Sequence, residues 1–262
     1  MWIKELPQDY KKCSSYYKNV VFLWKSDELP IYVSDNHLTA AWCWLQECNP
    51  KECYNFMHID RHADLKGCGH PKDIDFLKLS PQVTFADFQK IKYDNGGTYP
   101  FFMWDNYIRA CHYLFPEWFH TNYFYVHEPI DADKNEWGYE AFPFQKRNAL
   151  YVREDLSQFI EEANPYMGDG PVENMWDKPW IVNLDLDFFW DQEHVKIFDS
   201  QFIRDLAQRV NRAMKRIKVL TIALSPDCVD GENMQQKWDN VVDILKIFKD
   251  ELSISISSLT DT

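Results

Sequence analysis

No stretch of the chain is apolar enough to span a bilayer as a helix, and its mean hydropathy is −0.50, so a membrane span is excluded. The N-terminal segment MWIKELPQDYKKCSSYYKN has no apolar run ahead of a small-residue cleavage site, and no secretory signal is expected. No CxxC occurs among the seven cysteines Cys13, Cys43, Cys48, Cys53, Cys68, Cys111 and Cys228. An odd count without an export signal points to reduced thiols in the cytoplasm, most of them small core residues. The spacing of five between Cys43, Cys48 and Cys53 is not a zinc pattern. Positive charge is also short: 28 Lys and Arg against 41 Asp and Glu leave a net charge of −13. That balance argues against a nucleic-acid partner and is compatible with a cationic substrate. There is no internal repeat and no low-complexity tract.

What remains is a chain of 262 residues, 45% apolar, a length that suits one large domain or two small ones and can bury a substantial core. Short β-type runs alternate with helical patterns. Strands are expected at 20–24, 31–33, 54–59, 123–126, 180–184 and 219–224, and helices at 38–47, 101–115, 201–217 and 236–249. Runs such as WIVNL and VLTIAL lack polar alternation and read as strands buried on both faces. Strands separated by helices imply a single α/β domain, a three-layer α/β/α sandwich around a mostly parallel sheet. Residues 131–175 read as an aromatic-rich insertion or lid. In such sheets the chemistry sits at the carboxyl ends of the strands.

Three motifs lie at those ends. FMHIDRHADL is an apolar strand followed by Asp60, His62 and Asp64, a D-x-H-x-D pattern whose side chains share one side if the backbone is extended. WIVNLDLDFFW ends in Asp185 and Asp187, again two apart and framed by apolar residues; ionised carboxylates in that setting need a partner charge. YVSDNHLTAAW places His37 where a strand gives way to a helix, and the positive end of the helix dipole is expected to keep its imidazole neutral and able to bind metal. Together these supply four aspartates and two histidines. Hard oxygen ligands with two imidazoles suit Mn²⁺, and six ligands fit two ions with bridging carboxylates.

Asn36-His37, the 60–64 motif and Asp185-Leu186-Asp187 resemble, in the same chain order, the three metal motifs of the arginase/agmatinase (ureohydrolase) superfamily. The phrases HIDRHADL, NLDLDFF and ALSPD are similar to those of a divergent arginase-like group (UPF0489), some bacterial members of which are peptide arginases. The resemblance spans roughly residues 20–250. It implies an arginase-like fold and two Mn²⁺ ions per chain. One ion is then held by His37, Asp60, Asp64 and Asp185 and the other by Asp60, His62, Asp185 and Asp187. It also implies hydrolysis of a guanidino group to urea. Asp227, in VLTIALSPDCVDGE at the carboxyl end of a buried strand, is the candidate to grip the guanidinium, with Asp230 and Glu232 as fallbacks. His70 is the candidate general acid. The segment after the metal motif, LKGCGHPKDID, lacks the Ser/Asn-rich pattern by which classical arginases read a free amino acid, which favours an arginine-containing peptide as substrate. The sequence leaves room for a homo-oligomer.

Other readings compete. VNLDLDFF superficially matches the D-x-D strand end of a haloacid-dehalogenase-type phosphatase, with Asp185 as nucleophile and Asp187 as acid/base, but that leaves His37 and D-x-H-x-D unexplained. A deacetylase on a related fold uses one zinc and fewer acids. Hydrolysis of a small guanidino compound and a binding protein without turnover remain open. His58, mid-strand, reads as a packing or hydrogen-bonding residue, and nothing singles out His112, His120 or His127.

Overall fold

The runs that read as apolar on both faces form the middle of a seven-stranded sheet. The computed structural model describes residues 21–25, 30–35, 37–67, 83–92, 100–128, 142–162 and 177–252. Its strands are β1 (Val21–Lys25), β2 (Pro30–Ser34), β3 (Asn55–Asp60), β4 (Thr121–Val126), β5 (Gln145–Arg147), β6 (Trp180–Asp185) and β7 (Ile217–Ala223). The spatial order is β1-β2-β7-β6-β3-β4-β5. β1 runs antiparallel to β2 at one edge, and the other neighbouring pairs are parallel.

Strand alternation divides the core in two. Val33, Ile59, Tyr125, Leu184 and Ile222 face one side, where they pack with Val152, Leu206 and Val241. Those partners come from helices α4 (Val152–Asp155), α5 (Ser200–Ala213) and α6 (Met234–Glu251). Tyr32, Phe56, Phe124, Ile181 and Val219 face the other side and meet Trp44, Phe85 and Ile108. Those belong to α1 (Leu38–Glu47), α2 (Phe85–Phe88) and α3 (Tyr107–Leu114). Each fully buried large side chain contributes about 1.5–3 kcal/mol, so both faces must be covered. The three-layer α/β fold with a mostly parallel sheet is therefore as the sequence implies.

Local chemistry fixes the element ends. The side chain of Asp199 caps α5 by accepting from the backbone N–H of Phe202 at 2.7 Å. Asn233 caps α6 by accepting from Gln236 at 3.1 Å.

Three expectations need correction. The helix expected over 101–115 is confined to α3, because the Asn106 side chain holds the preceding turn. It donates to the Phe101 carbonyl at 3.1 Å and accepts from the Met103 N–H at 2.8 Å. The helix expected to Ile217 ends with α5 at Ala213, and Ile217 opens β7. Within 131–175, the described residues 142–162 carry β5 and α4, so this part extends the sheet; 131–141 and 163–175 lie outside the described residues.

Candidate metal centre

The sheet brings Asp60 and Asp185 together first. Ile59 registers with Leu184, so the two aspartates are the next residues of adjacent parallel strands. His37 begins α1 after β2, one strand beyond β7, and reaches over β7 to both. Its Nε2 lies 2.8 Å from Asp185 Oδ2 and its Nδ1 lies 3.3 Å from Asp60 Oδ2 and touches Asp64 Oδ2. On the far side His62 Nδ1 lies 3.0 Å from Asp187 Oδ2 and 3.5 Å from Asp60 Oδ1. All six sequence-predicted ligands therefore meet, and Asp60 belongs to both the His37–Asp185 group and the His62–Asp187 group.

The means of convergence differs from the expected one. The chain does not stay extended past either strand. The Asp60 carboxylate accepts from the backbone N–H of His62 at 2.7 Å, and that of Asp185 accepts from Asp187 at 2.9 Å. Each strand end thus curls into an Asx turn. Leu186–Phe189 continues as a 3-10 turn, and Asp64 takes a left-handed backbone with φ 51°. Ser225, also left-handed at φ 40°, donates its hydroxyl to Asp185 Oδ2 at 2.5 Å. His194 is left-handed too, at φ 60°. Such non-glycine conformations cost about 1–3 kcal/mol each, and here all three lie around one constellation.

The electrostatics call for positive charge. Asp60 and Asp187 are 0% exposed, and their Oδ2 atoms face imidazole nitrogens, His37 Nδ1 at 3.3 Å from Asp60 and His62 Nδ1 at 3.0 Å from Asp187. Burial, then the charges of Asp187 and Asp64, hold the Asp60 carboxyl well above the usual carboxylate range. Burial and Asp187 likewise raise Asp185. Asp187 is drawn below its ordinary value despite burial, because His62 bonds to it and Arg61 lies nearby. The His62 imidazole is pushed up to about 12: burial opposes its charge, and the bonds to Asp187 and Asp60 outweigh burial. His37 also departs from expectation. Burial disfavours its imidazolium, yet Asp185, Asp60 and Asp64 carry its pKa well above the ordinary value, so three carboxylates outweigh the helix dipole. Buried carboxylate oxygens faced by imidazole nitrogens fit divalent cations, which would displace the protons of those groups.

A polar layer lies beneath the centre: His58 hydrogen-bonds within it, in line with the sequence reading, whereas Asn183, Thr221 and Tyr107 escaped that reading. His58, Asn183 and Thr221 stand in register on β3, β6 and β7. The Thr221 hydroxyl donates to Asn183 Oδ1 at 2.7 Å, and Asn183 Nδ2 donates to His58 Nδ1 and to the Tyr107 hydroxyl, both at 3.0 Å. His58 therefore carries its proton on Nε2, which donates to the His62 carbonyl at 3.1 Å. Burial lowers its pKa to about 3, so the imidazole is neutral, and both its nitrogens are engaged, with Asn183 and the His62 carbonyl. The Tyr107 hydroxyl lies 3.2 Å from His37 Nδ1. Lone polar residues in WIVNLD and VLTIAL, each two positions before the end of its strand, were the available signal.

Two charged residues at the rim were also missed. The guanidinium of Arg61 is buried, and its Nη1 donates to the carbonyls of Asp191 at 3.0 Å and Cys228 at 2.9 Å, tying three loops together. Glu128, just past β4, sets Oε1 at 3.5 Å from His62 Nε2 and 3.4 Å from Arg61 Nε. The outer nitrogen of His62, Nε2, faces both Arg61, whose Nε and Nη2 lie 3.4 and 3.2 Å away, and Glu128; were His62 metal-bound through Nδ1, Glu128 would be the carboxylate placed to accept a proton on Nε2.

Asp227 is half-buried in the turn Pro226–Cys228, directly after Ser225. Asp230 and Glu232 are exposed on the segment leading to α6, outside the cluster. His70 and Asn36 lie outside the described residues. Cys43, Cys48, Cys53, Cys111 and Cys228 are free thiols, as a reduced chain requires. The Cys228 thiol faces the centre closely enough that burial and the charges of Asp187 and Asp185 push its pKa up.

Among the described residues, no helix is long and apolar enough to cross a membrane. No protein-family model matches the chain, and no curated protein matches it in sequence.

Proposed function

We propose that this chain is a binuclear, manganese-dependent hydrolase that converts arginine residues of a peptide to ornithine and releases urea, working in the cytoplasm. The observation that carries the reading is the convergence of His37, Asp60, His62, Asp64, Asp185 and Asp187 on one buried point, four carboxylates against two imidazoles. His37, Asp60, Asp64 and Asp185 would hold one ion, and Asp60, His62, Asp185 and Asp187 the other. When bound, the pair supplies a hydroxide at neutral pH, since coordination lowers the pKa of water from about 15.7 toward about 7.

The chain's own residues do the rest. A guanidinium is a planar cation, and a carboxylate can receive two of its parallel N–H bonds. Glu128 at the rim and Asp227 on the turn after β7 are the carboxylates that would orient it. Water adds at the guanidinium carbon, the bond from that carbon to the side-chain nitrogen breaks, and the nitrogen gains a proton. His70 is the proposed donor. The products are urea and an ornithine ammonium. Arg61, with its bonds to the Asp191 and Cys228 carbonyls, keeps the rim loops in place around this chemistry.

The phosphatase reading gains nothing from the geometry. Asp185 has its oxygens engaged by the Asp187 N–H, the Ser225 hydroxyl and His37, which leaves it poorly disposed as a nucleophile. The decisive experiment is mass spectrometry of arginine peptides incubated with the Mn²⁺-loaded protein. The expected result is loss of one CN₂H₂ unit per arginine with matching urea. Phosphate release from phosphoesters without that mass change would overturn the proposal.

A further inference from the structure

A surface pocket of about 410 Å³, open to solvent, lies at the carboxyl ends of β4 and β5, the same end of the sheet as the centre; its Lys146 and Asn148 are exposed. It is lined by Val126, His127, Lys146, Arg147, Asn148 and Ala149. Val126 is the register partner of Asp60, so the cavity lies one strand away from the shared aspartate. Glu128 joins the two places: its carboxylate faces His62 at 3.5 Å, and its backbone carbonyl accepts from Lys146 Nζ at 3.1 Å.

The lining groups are not equivalent. Arg147 is already neutralised, because its Nε and Nη2 bond both oxygens of Asp155 at 2.9 and 3.0 Å. His127 donates Nε2–H to the Phe188 carbonyl at 2.9 Å, and burial pulls its pKa below the ordinary value, so it forms a neutral wall. Lys146 has no carboxylate partner among the described residues; a backbone carbonyl is its only bond there. This is an uncompensated cation in a chain of net charge −13. Asn148 uses its Oδ1 to accept from Leu150 at 3.0 Å, and its Nδ2 has no partner among the described residues. Leu150 and Tyr151, which directly follow the lining residues, are 60% and 59% exposed. The cavity thus offers one ammonium and one amide donor beside an apolar rim, which is the chemistry that receives a carboxylate.

We infer that this cavity is a substrate subsite that binds a carboxylate of the peptide whose arginine enters the metal centre, through Lys146 Nζ and Asn148 Nδ2. The inference rests on the peptide-hydrolase reading above and adds a sequence preference to it. The carboxylate has two sources: the side chain of an acidic residue near the arginine, or the peptide's own C-terminus.

The test measures kcat/KM by urea release for four short peptides with the Mn²⁺-loaded full chain. One is capped at both ends with alanine beside the arginine. The second is capped with aspartate or glutamate in place of alanine, the third has alanine and a free C-terminus, and the fourth is capped with lysine. Wild type is expected to favour the second or the third over the first by about fivefold or more, and whichever does so identifies the source. Lys146→Glu is expected to lower the rate for the favoured carboxylate peptide and raise that for the lysine peptide, reversing their order. Lys146→Gln is expected to abolish the preference without reversing it. A change of sign with charge is not something general unfolding produces. Equal rates for all four peptides in wild type would overturn the subsite and leave the hydrolase reading standing. A preference for carboxylate that Lys146→Glu leaves intact would also overturn it. Conversion of no peptide would overturn the hydrolase reading and the subsite with it.

Discussion

Asp60 and Asp185 end neighbouring parallel strands side by side, and each folds its carboxylate back onto the backbone N–H two residues further on. The same turn is thus used twice. It swings His62 and Asp187 toward one another, with His62 Nδ1 and Asp187 Oδ2 3.0 Å apart. Two buried carboxylates at adjacent strand ends repel each other, and only a charge that both can share makes the arrangement favourable.

Asp60 is common to every cation-competent group of side chains in the cluster. Asp60→Asn is therefore expected to remove all stabilisation by Mn²⁺, while the cation-free variant is about as stable as wild type because an amide replaces a carboxyl that burial already favours in its neutral form. Wild type at a hundredfold excess of Mn²⁺ over Kd is expected to gain about 2.7 kcal/mol for each ion bound. Thermal unfolding with and without Mn²⁺ checks both halves, and a variant that still gains stability from the ion contradicts the shared role.

Glu128 touches only the outer side of His62. Glu128→Ala is expected to weaken binding on the His62–Asp187 side by about 10- to 100-fold and to leave the His37 side unchanged. Glu128→Gln, which keeps an acceptor oxygen, is expected to recover part of the loss. Calorimetric Mn²⁺ titration separates the two steps; equal weakening of both would contradict this role.

Protons and cations compete for the same atoms. Without cations, burial and neighbouring carboxylates keep Asp60 protonated at higher pH than usual, and His62 holds its proton up to about 12. Binding must expel these protons, so apparent Mn²⁺ affinity is expected to rise with pH as long as His62 would otherwise hold its proton, below about 12. Calorimetry in two buffers of different ionisation enthalpy measures the proton release directly, and a value of zero contradicts the prediction.

Asn183 satisfies three buried partners at once: Thr221, His58 and Tyr107. Asn183→Leu is expected to destabilise the fold by about 1–3 kcal/mol for each group left unpaired. The urea midpoint should fall with its slope unchanged.

Most of the sheet was legible because WIVNL and VLTIAL are buried on both faces and need no tertiary information to read as strands. β5 was not: Gln145-Lys146-Arg147 is a short polar edge strand with no apolar pattern. The six clustered side chains were legible as types at strand ends, whereas their route together was not, since turns at Asp60 and Asp185 replace the extended chain. Glu128, Tyr107 and Asn183 gave no motif. They matter through the residues they touch, which lie on other strands and helices, and only the sheet order brings them into reach.

The reach of His37 over β7 has a consequence for how the chain folds. Its partners Asp60 and Asp185 come from strands that are neighbours only once β2, β7, β6 and β3 have assembled. In the unfolded polypeptide a divalent ion finds only the local group at 58–64, and closing the distant segments that complete the site is slow. Manganese is expected to leave the refolding rate almost untouched and to act on unfolding, prolonging the lifetime of the native state.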